Sequence, residues 1–569
     1  MDSTRFLRGH RALIALALSL VGAGACDSCD ASSPTPASEP TAPAVRPADT
    51  RAELHFRGGS NFLEALREQF GEGVVATAFP RTSGDLLSRV IELPSGLQAR
   101  VLDDSPLESL VLGDANHAKH VYAARVRLEQ DAAHPLGPEF ALGEALTGGA
   151  HWIGADTLPA LALAGDVLIV GDTREAVNQG QAWLATRAMA EDHSPGLTLQ
   201  VEPGFVSRSL HAMANAAVDR WAAKARRDLE AERTRHTDRP ELADPEAALN
   251  LAERKLRALV ALLPDVGELT LTLSDGPAGP TFDLRVAVTT GSPLAIALAS
   301  LHALKTRDLA RMPTASLRLL VAMPPDREGE SWLTALLGER VTPAQQQAFT
   351  QIGEALYDGS GPVGLAIGGR DGHSFLAYFG HSESQLDVQA AVRTALGSAW
   401  LLRPLGLVIG CGDGAPGVTS EDGALRVGGC EGAKREIVLT RSQMVRGLVL
   451  SPASNREPGE AVGVANAMTR AYASEARMTE LDAASQRLLS ASPDQSVLAA
   501  LVNVVGLMPS VAGMMGARRP DGEGGTPAGE ATVPVALSVS VEPDALRVKL
   551  ILAPGAGAKL INLGRGMSH

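Results

Sequence analysis

The chain has 569 residues, more than one hydrophobic core usually takes, and its 45% hydrophobic and 20% charged residues are a globular balance. A net charge of −14 repels phosphate backbones and anionic surfaces, and aromatic residues at 4% leave little to stack on bases or sugars. Nucleic-acid binding is therefore not expected.

Residues 1–25 read as an export leader. Arg5, Arg8 and Arg11 form a basic start, and Ala12 to Ala25 is an uncharged apolar run too short to span a membrane as a mature helix. The run ends in Ala23-Gly24-Ala25 directly before Cys26. Small residues before a cysteine let a lipoprotein signal peptidase close on the backbone, and the thiol then carries the lipid. This segment resembles a bacterial lipobox, with Ala23 where leucine is usual. The resemblance implies a lipid on Cys26, a body in the periplasm or at the cell surface, and a membrane as first partner. Ala23-x-Ala25 also suits an ordinary signal peptidase, which would leave Cys26 a plain cysteine. Loss of the leader removes three arginines and Asp2, so the mature body is more acidic still.

Residues 26–50 form a tether. From Ala31 to Thr50 the chain is rich in Pro, Ser, Thr and Ala without apolar periodicity, so it stays extended and reaches roughly 60 Å at about 3.1 Å per residue. The body begins with a strand-like run, Ala52 to Phe56. Asp114, His117 and His120 have a spacing that invites a metal. On a strand the two histidines would point to opposite faces, and no third His or Cys is near, so a hairpin with solvated histidines is the expectation. Asp172-Thr-Arg-Glu175 reads as a capping box that starts a helix. Val206, Leu210, Met213, Ala217 and Trp221 make one apolar stripe at helical spacing, and Leu249, Ala252, Leu256, Leu259 and Leu263 make another. Between them, the mixed charges from Lys224 to Arg239 read as a solvated helix tip or a partner surface. Leu269 to Leu273 and Phe282 to Val288 alternate around the turn Ser274 to Pro280, which is a hairpin. A short apolar helix follows at Pro293 to Leu298.

The second half opens on Ala315 to Leu319, and Thr342-Pro343-Ala-Gln345 is a second capping box. Cys411 and Cys430 follow two strand-like runs joined by a loop rich in Gly, Asp and Pro. An exported chain favours a disulfide there, worth about 3 kcal/mol on the loop-entropy model. The alternative, zinc, lacks a CxxC pair or a nearby His. Gly412-Asp-Gly414-Ala-Pro-Gly417 fits GxGxxG, but Pro416 and a following strand at Ala424 to Val427 argue for a hairpin loop over a dinucleotide site. No cofactor and no metal are expected. Gln495 to Ala517 carries no charge; Gly506, Pro509 and Asn503 oppose a membrane span, and a buried core helix is expected, with a membrane or greasy-ligand contact as the alternative. Gly516 to Ala531 reads as a flexible insert, and Val533 to Leu552 as a hairpin around Glu542-Pro543-Asp544.

Four landmarks recur in order: Ala52–Phe56 with Ala315–Leu319, Gly196–Leu199 with Gly447–Leu450, Leu256–Val260 with Leu498–Val502, and Leu284–Val286 with Leu546–Val548. The expected fold class is α+β: two tandem pseudo-repeats, 52–305 and 314–569, each an antiparallel sheet packed against a helical hairpin. In these features the chain resembles an uncharacterised class of exported, Ala-rich, duplicated lipoproteins, a likeness that carries no functional residues. No GxSxG, SxxK or HExxH motif occurs, and no catalytic residue is assigned. The functional expectation is a non-enzymatic binding or scaffolding module of the cell envelope, meeting an envelope protein or an apolar ligand. A carrier of lipid and an enzyme with a dispersed site are the alternatives.

Overall fold

A computed structural model of the chain describes residues 45–57, 82–207, 211–235, 245–322, 342–356, 361–396, 409–452, 460–473, 481–507 and 533–558, apart from stretches of one to five residues within these spans. The molecule mixes helices with antiparallel sheet and divides into two compact units. Each unit is discontinuous in sequence. One takes the chain up to Leu210 with Val266–Val288 and Arg547–His569; the other takes His211–Asp265 and Thr289–Leu546.

The first unit contains β1 (Thr50–Arg57), β2 (Leu107–Leu112), β3 (Lys119–Arg125), β4 (Leu142–Ala145), β5 (His151–Ile153), β6 (Ala160–Ala164), β7 (Val167–Gly171), β8 (Gly196–Val201), β9 (Val266–Gly276) and β10 (Gly279–Val288). They pair antiparallel in the order β4–β5–β6–β7–β3–β2–β1–β8–β9–β10. Within this unit Arg547, on β22 (Ala545–Leu552), donates from Nε to Asp283 of β10 at 2.8 Å. The β9–β10 hairpin is the one the alternation of leucines and threonines predicts.

Helix α1 (Ser83–Val90) starts at Thr82, whose hydroxyl accepts the Asp85 N–H. Helix α2 (Arg174–Met189) lies on the sheet. Its Ala176, Val177, Leu184, Ala185 and Ala188 form one core with Leu110, Leu112, Val121, Ala123, Val167 and Ile169. Gly180 permits the contact, because a Cβ there would stand 3.3 Å from Leu110 Cδ1. The cap of α2 differs by one residue from expectation. Thr173, not Asp172, accepts the Ala176 N–H, since the Asp172 carboxylate already accepts the His120 N–H at 2.7 Å.

The second unit contains helices α3 (His211–Arg235), α4 (Pro245–Val260), α5 (Pro293–Ala299), α6 (Pro343–Leu356), α7 (Val388–Leu396), α8 (Glu460–Ala473) and α9 (Ala483–Ala491). Its main strands are β12 (Leu317–Ala322), β13 (Pro362–Arg370), β14 (His373–His381), β15 (Gly417–Glu421), β16 (Ala424–Gly428), β17 (Arg435–Ser442), β18 (Val445–Pro452), β20 (Leu498–Asn503) and β21 (Pro534–Glu542). They pair antiparallel in the order β15–β16–β17–β18–β14–β13–β12–β20–β21. A small pair, β11 (Leu304–Lys305) and β19 (Gln495–Ser496), stands apart. The capping box at Thr342 forms in full: Thr342 Oγ1 accepts the Gln345 N–H at 3.3 Å, and Gln345 Oε1 accepts the Thr342 N–H at 3.0 Å. On the α8 side of the sheet, Tyr472 stacks on Phe379 with ring centroids 4.9 Å apart.

Three expectations fail. Of the uncharged segment Gln495 to Ala517, expected as a core helix, the first part is strand: β20 buries Ala499, Ala500 and Leu501 between two neighbours, 504–507 are helical, and 508–517 lie outside the described residues. The helical stripe of α3 and α4 is not a buried face. Met213 is 53% exposed and Leu259 63%, whereas Val218 and Ala222 are buried. The two helices instead meet each other through Arg226–Glu253 and Arg257–Asp219 ion pairs, and the helix that covers the first sheet is α2. Finally, two landmarks join unlike places. Leu256–Val260 is helix and Leu498–Val502 is strand, while Gly196–Leu199 pairs with β1 and β9 and Gly447–Leu450 pairs with β14 and β17.

Candidate functional site

The residues singled out in the sequence disperse. Cys26 lies outside the described residues, as do most of the GxGxxG loop and Asp114. Cys411 and Cys430 form a disulfide with Cα atoms 5.5 Å apart. It closes onto a core of Val392, Leu396, Ile409, Leu425 and Val427, so it ties the segment before β15 to the end of β16. Gly417 opens β15 rather than a helix, which removes the helix N-terminus that a pyrophosphate needs. His120 lies on β3 and its ring stacks on Tyr122; His373 opens β14. Among the described residues no group of three or more His, Cys, Asp and Glu could hold a metal ion. Among them, too, no helix is long and apolar enough to cross a membrane.

Two features emerge that the sequence reading passed over. The first is a buried charge network in the first unit. Glu53, His55 and Arg57 alternate on β1 and share a face, and His55 stands directly opposite Glu108 of β2. All sit beneath or beside α2. Glu108 is fully buried, and Glu53 and His55 nearly so. His55 Nδ1 is hydrogen-bonded to Glu108 Oε2, and its Nε2 lies 3.3 Å from Glu53 Oε2. Arg57 reaches Glu108 Oε1 at 3.2 Å, and Trp183 Nε1 of α2 donates to Glu53 at 3.4 Å. Arg46, just ahead of β1, pairs with Glu53 and with Glu202. Burial by itself would push the His55 pKa down; the hydrogen bonds to Glu108 and Glu53 outweigh it, and the pKa ends above the ordinary histidine value. Burial likewise pushes Glu53 up, and its bond to His55 and the charge of Arg46 bring it below the usual carboxylate value. The two carboxylates thus favour the protonated imidazole, and the network joins β1, β2 and α2.

The second feature is an apolar face on the second unit's sheet. Leu319 of β12 stands in register with Leu365 of β13 and Ala500 of β20, and Leu365 with Tyr378 of β14. The neighbouring rows add Leu317, Ile367 and Leu376, and Val321, Val363 and Leu498. Apart from the buried Ala500, these side chains are only half-buried, although the strands are central in the sheet. Further along the same face, Val388, Val392 and Leu396 of α7, with Ile352 of α6, cover Leu425, Val427, Ile437 and Leu439. Coverage is therefore uneven across one continuous apolar surface.

The chain matches no family model and no curated protein sequence. Among solved structures it is similar to TP0453 in crystal form I, at 9% identity and a TM-score of 0.20 over 45% of this chain and 83% of that one. Crystal form IV of TP0453 gives 10% identity and a TM-score of 0.21 over 46% of this chain and 88% of that one. Likeness at that level carries no argument about this chain.

Proposed function

We propose that this protein is a cell-envelope lipoprotein, anchored through a lipid on Cys26, whose body is a non-enzymatic binding module for an apolar, acyl-type ligand. The observation that carries the reading is the half-buried apolar face centred on Leu319, Leu365 and Tyr378. Leaving several central-strand leucines and valines partly wet forgoes about 25 cal/mol for every Å² left uncovered, and a ligand that covers them recovers it. The finer reading of the fold, two copies of one pattern, belongs with this proposal. The orders β4–β5–β6–β7–β3–β2–β1–β8–β9 and β15–β16–β17–β18–β14–β13–β12–β20–β21 pass through the same sequence of ranks. A covering helix follows β7 in one and β18 in the other. The first and last landmarks, β1 with β12 and β10 with β22, support it as well.

The test is saturable binding of a fluorescent long-chain fatty acid to the mature chain carrying Cys26→Ser. Leu365→Gln should weaken it about tenfold, the effect of ~1.4 kcal/mol and less than a buried leucine contributes. A wild-type chain that does not take up the probe, or a folded L365Q chain that binds it unchanged, overturns the reading.

A further inference from the structure

On the opposite, helix-covered face of the second sheet, one residue breaks the pattern. The cross-strand row through β21, β20, β12, β13, β14, β18 and β17 reads Ala536, Leu501, Arg318, Ala366, Ala377, Val449 and Val438. All seven are buried, and Arg318 is only 5% exposed. It is the row's one charge, with Ala366 on one side and Leu501 on the other. Neither Nε nor Nη1 of Arg318 has a hydrogen-bond partner among the described residues. Buried guanidinium groups are normally paired, because two dry N–H donors without an acceptor are costly.

One described acid acts on Arg318 without pairing with it. The charge of Asp482 is felt at Arg318. However, Asp482 is the N-cap of α9, and its two oxygens accept the Ser485 N–H and the Ser485 hydroxyl, each at 2.8 Å. The carboxylate whose charge acts on Arg318 is thus already engaged in capping its own helix. A buried guanidinium with unpartnered N–H donors on two of its nitrogens is matched by an oxyanion.

We propose that Arg318 is the binding residue of an oxyanion site on this buried face of the second unit's sheet, which takes the carboxylate or phosphoryl group of a ligand. The first landmark aligns Arg318 with His55, the cation that its own unit neutralises with Glu53 and Glu108. In the second unit the cross-strand positions opposite Arg318 are Ala366 and Leu501, which carry no acceptor side chain, and among the described residues no acceptor meets its Nε or Nη1.

The experiment uses the full mature chain, as wild type, Arg318→Met and Arg318→Lys. Thermal unfolding is followed in phosphate, acetate and decanoate, each against chloride at equal ionic strength, and titration calorimetry measures phosphate and acetate binding. Phosphate or acetate should raise the wild-type midpoint by about 2–4 °C over chloride, the effect of ~1 kcal/mol for a domain of this size, and that shift should vanish in R318M; for decanoate, whose chain the Leu365 face would also take, only the part of the shift that R318M loses is assigned to Arg318. In chloride, R318M should melt no lower than wild type, because it buries no unpaired charge. R318K keeps a charge but not the paired donors, and should bind at least tenfold more weakly, so the answer does not hang on R318M alone. A response to phosphate alone assigns a phosphoryl group; a response to acetate and decanoate assigns a carboxylate, and decanoate far above acetate places it on an acyl chain. No difference between oxyanions and chloride in wild type, or the same shift in R318M, overturns the site. Either result leaves the Leu365 face untouched, since that face lies on the other side of the sheet.

Discussion

His55 and Glu108 stand directly opposite each other across β1 and β2, and the imidazole Nδ1 is bound to the carboxylate in a place from which water is excluded. The pairing makes stability depend on pH with a definite sign. The folded-state pKa of His55 is raised above its ordinary value of 6.5, so its contribution is complete below that value and is lost as pH rises through the folded pKa. The folded-state pKa of Glu53 is lowered from 4.5, so its contribution is present above that value and is lost as pH falls. Denaturant midpoints should therefore decline on the alkaline side of neutrality in wild type. His55→Gln should be less stable by about 3 kcal/mol near pH 6, because it removes the buried cation that Glu53 and Glu108 share and leaves them only Arg46 and Arg57, and its alkaline decline should be shallower. Parallel pH profiles for the two proteins would rule out His55 as the titrating group.

Gly447 on β18 allows α8 to approach closely. A Cβ at that position would fall 2.1 Å from Thr469 Oγ1 and 2.8 Å from Thr440 Oγ1. The two hydroxyls bond to each other and are buried, so neither can swing into solvent. Gly447→Ala should cost about 1–3 kcal/mol through overpacking. Adding Thr469→Ala should recover part of that loss, giving a favourable coupling in a double-mutant cycle. Strictly additive losses would show that the helix contact is not what excludes a side chain here.

Much of the secondary structure was legible, and the reasons for the misses are physical. The β9–β10 hairpin and the Thr342 cap carry local signals, period-two alternation and a reciprocal side-chain bond, which tertiary context did not override. Leu498 to Asn503 has no such signal. A short uncharged run of Leu, Ala and Val suits a buried strand and a buried helix equally. The network at Glu53, His55 and Arg57 was illegible for the opposite reason. Polar residues at alternate positions read as a wet strand face, and only the placement of α2 over β2 and β3, with Glu108 opposite, makes them buried. Arg318 followed the same rule: nothing around it in sequence marks it as an interior charge.

Lipidation of Cys26 has a direct mass-spectrometric outcome. The mature N-terminal peptide from envelope fractions should begin at Cys26 and carry the mass of a diacylglycerol, and Cys26→Ser should release the chain from membranes on washing. An unmodified N-terminal cysteine, or a mature start at another residue, rules out the anchor.

The disulfide offers the last prediction. Cys411 and Cys430 are separated by 19 positions, and the loop they close includes the β15–β16 hairpin. Reduction leaves the packing of Val392, Leu396 and Ile409 on Leu425 and Val427 available, so the fold is not abolished. What changes is the unfolded chain, which regains the freedom of a loop of that length, worth about 3 kcal/mol. Cys411→Ser with Cys430→Ser should therefore lower the unfolding midpoint while leaving the far-ultraviolet spectrum of the folded protein in place. Oxidised protein should show no alkylation of either thiol before reductant is added. Because the loop-entropy contribution resides in the unfolded state, the loss should appear mainly as slower folding if the β15–β16 region forms early, and as faster unfolding if it forms late. A double variant with an unchanged midpoint would mean that the apolar cluster alone holds these strands, and that the bond adds nothing to the stability of the second unit.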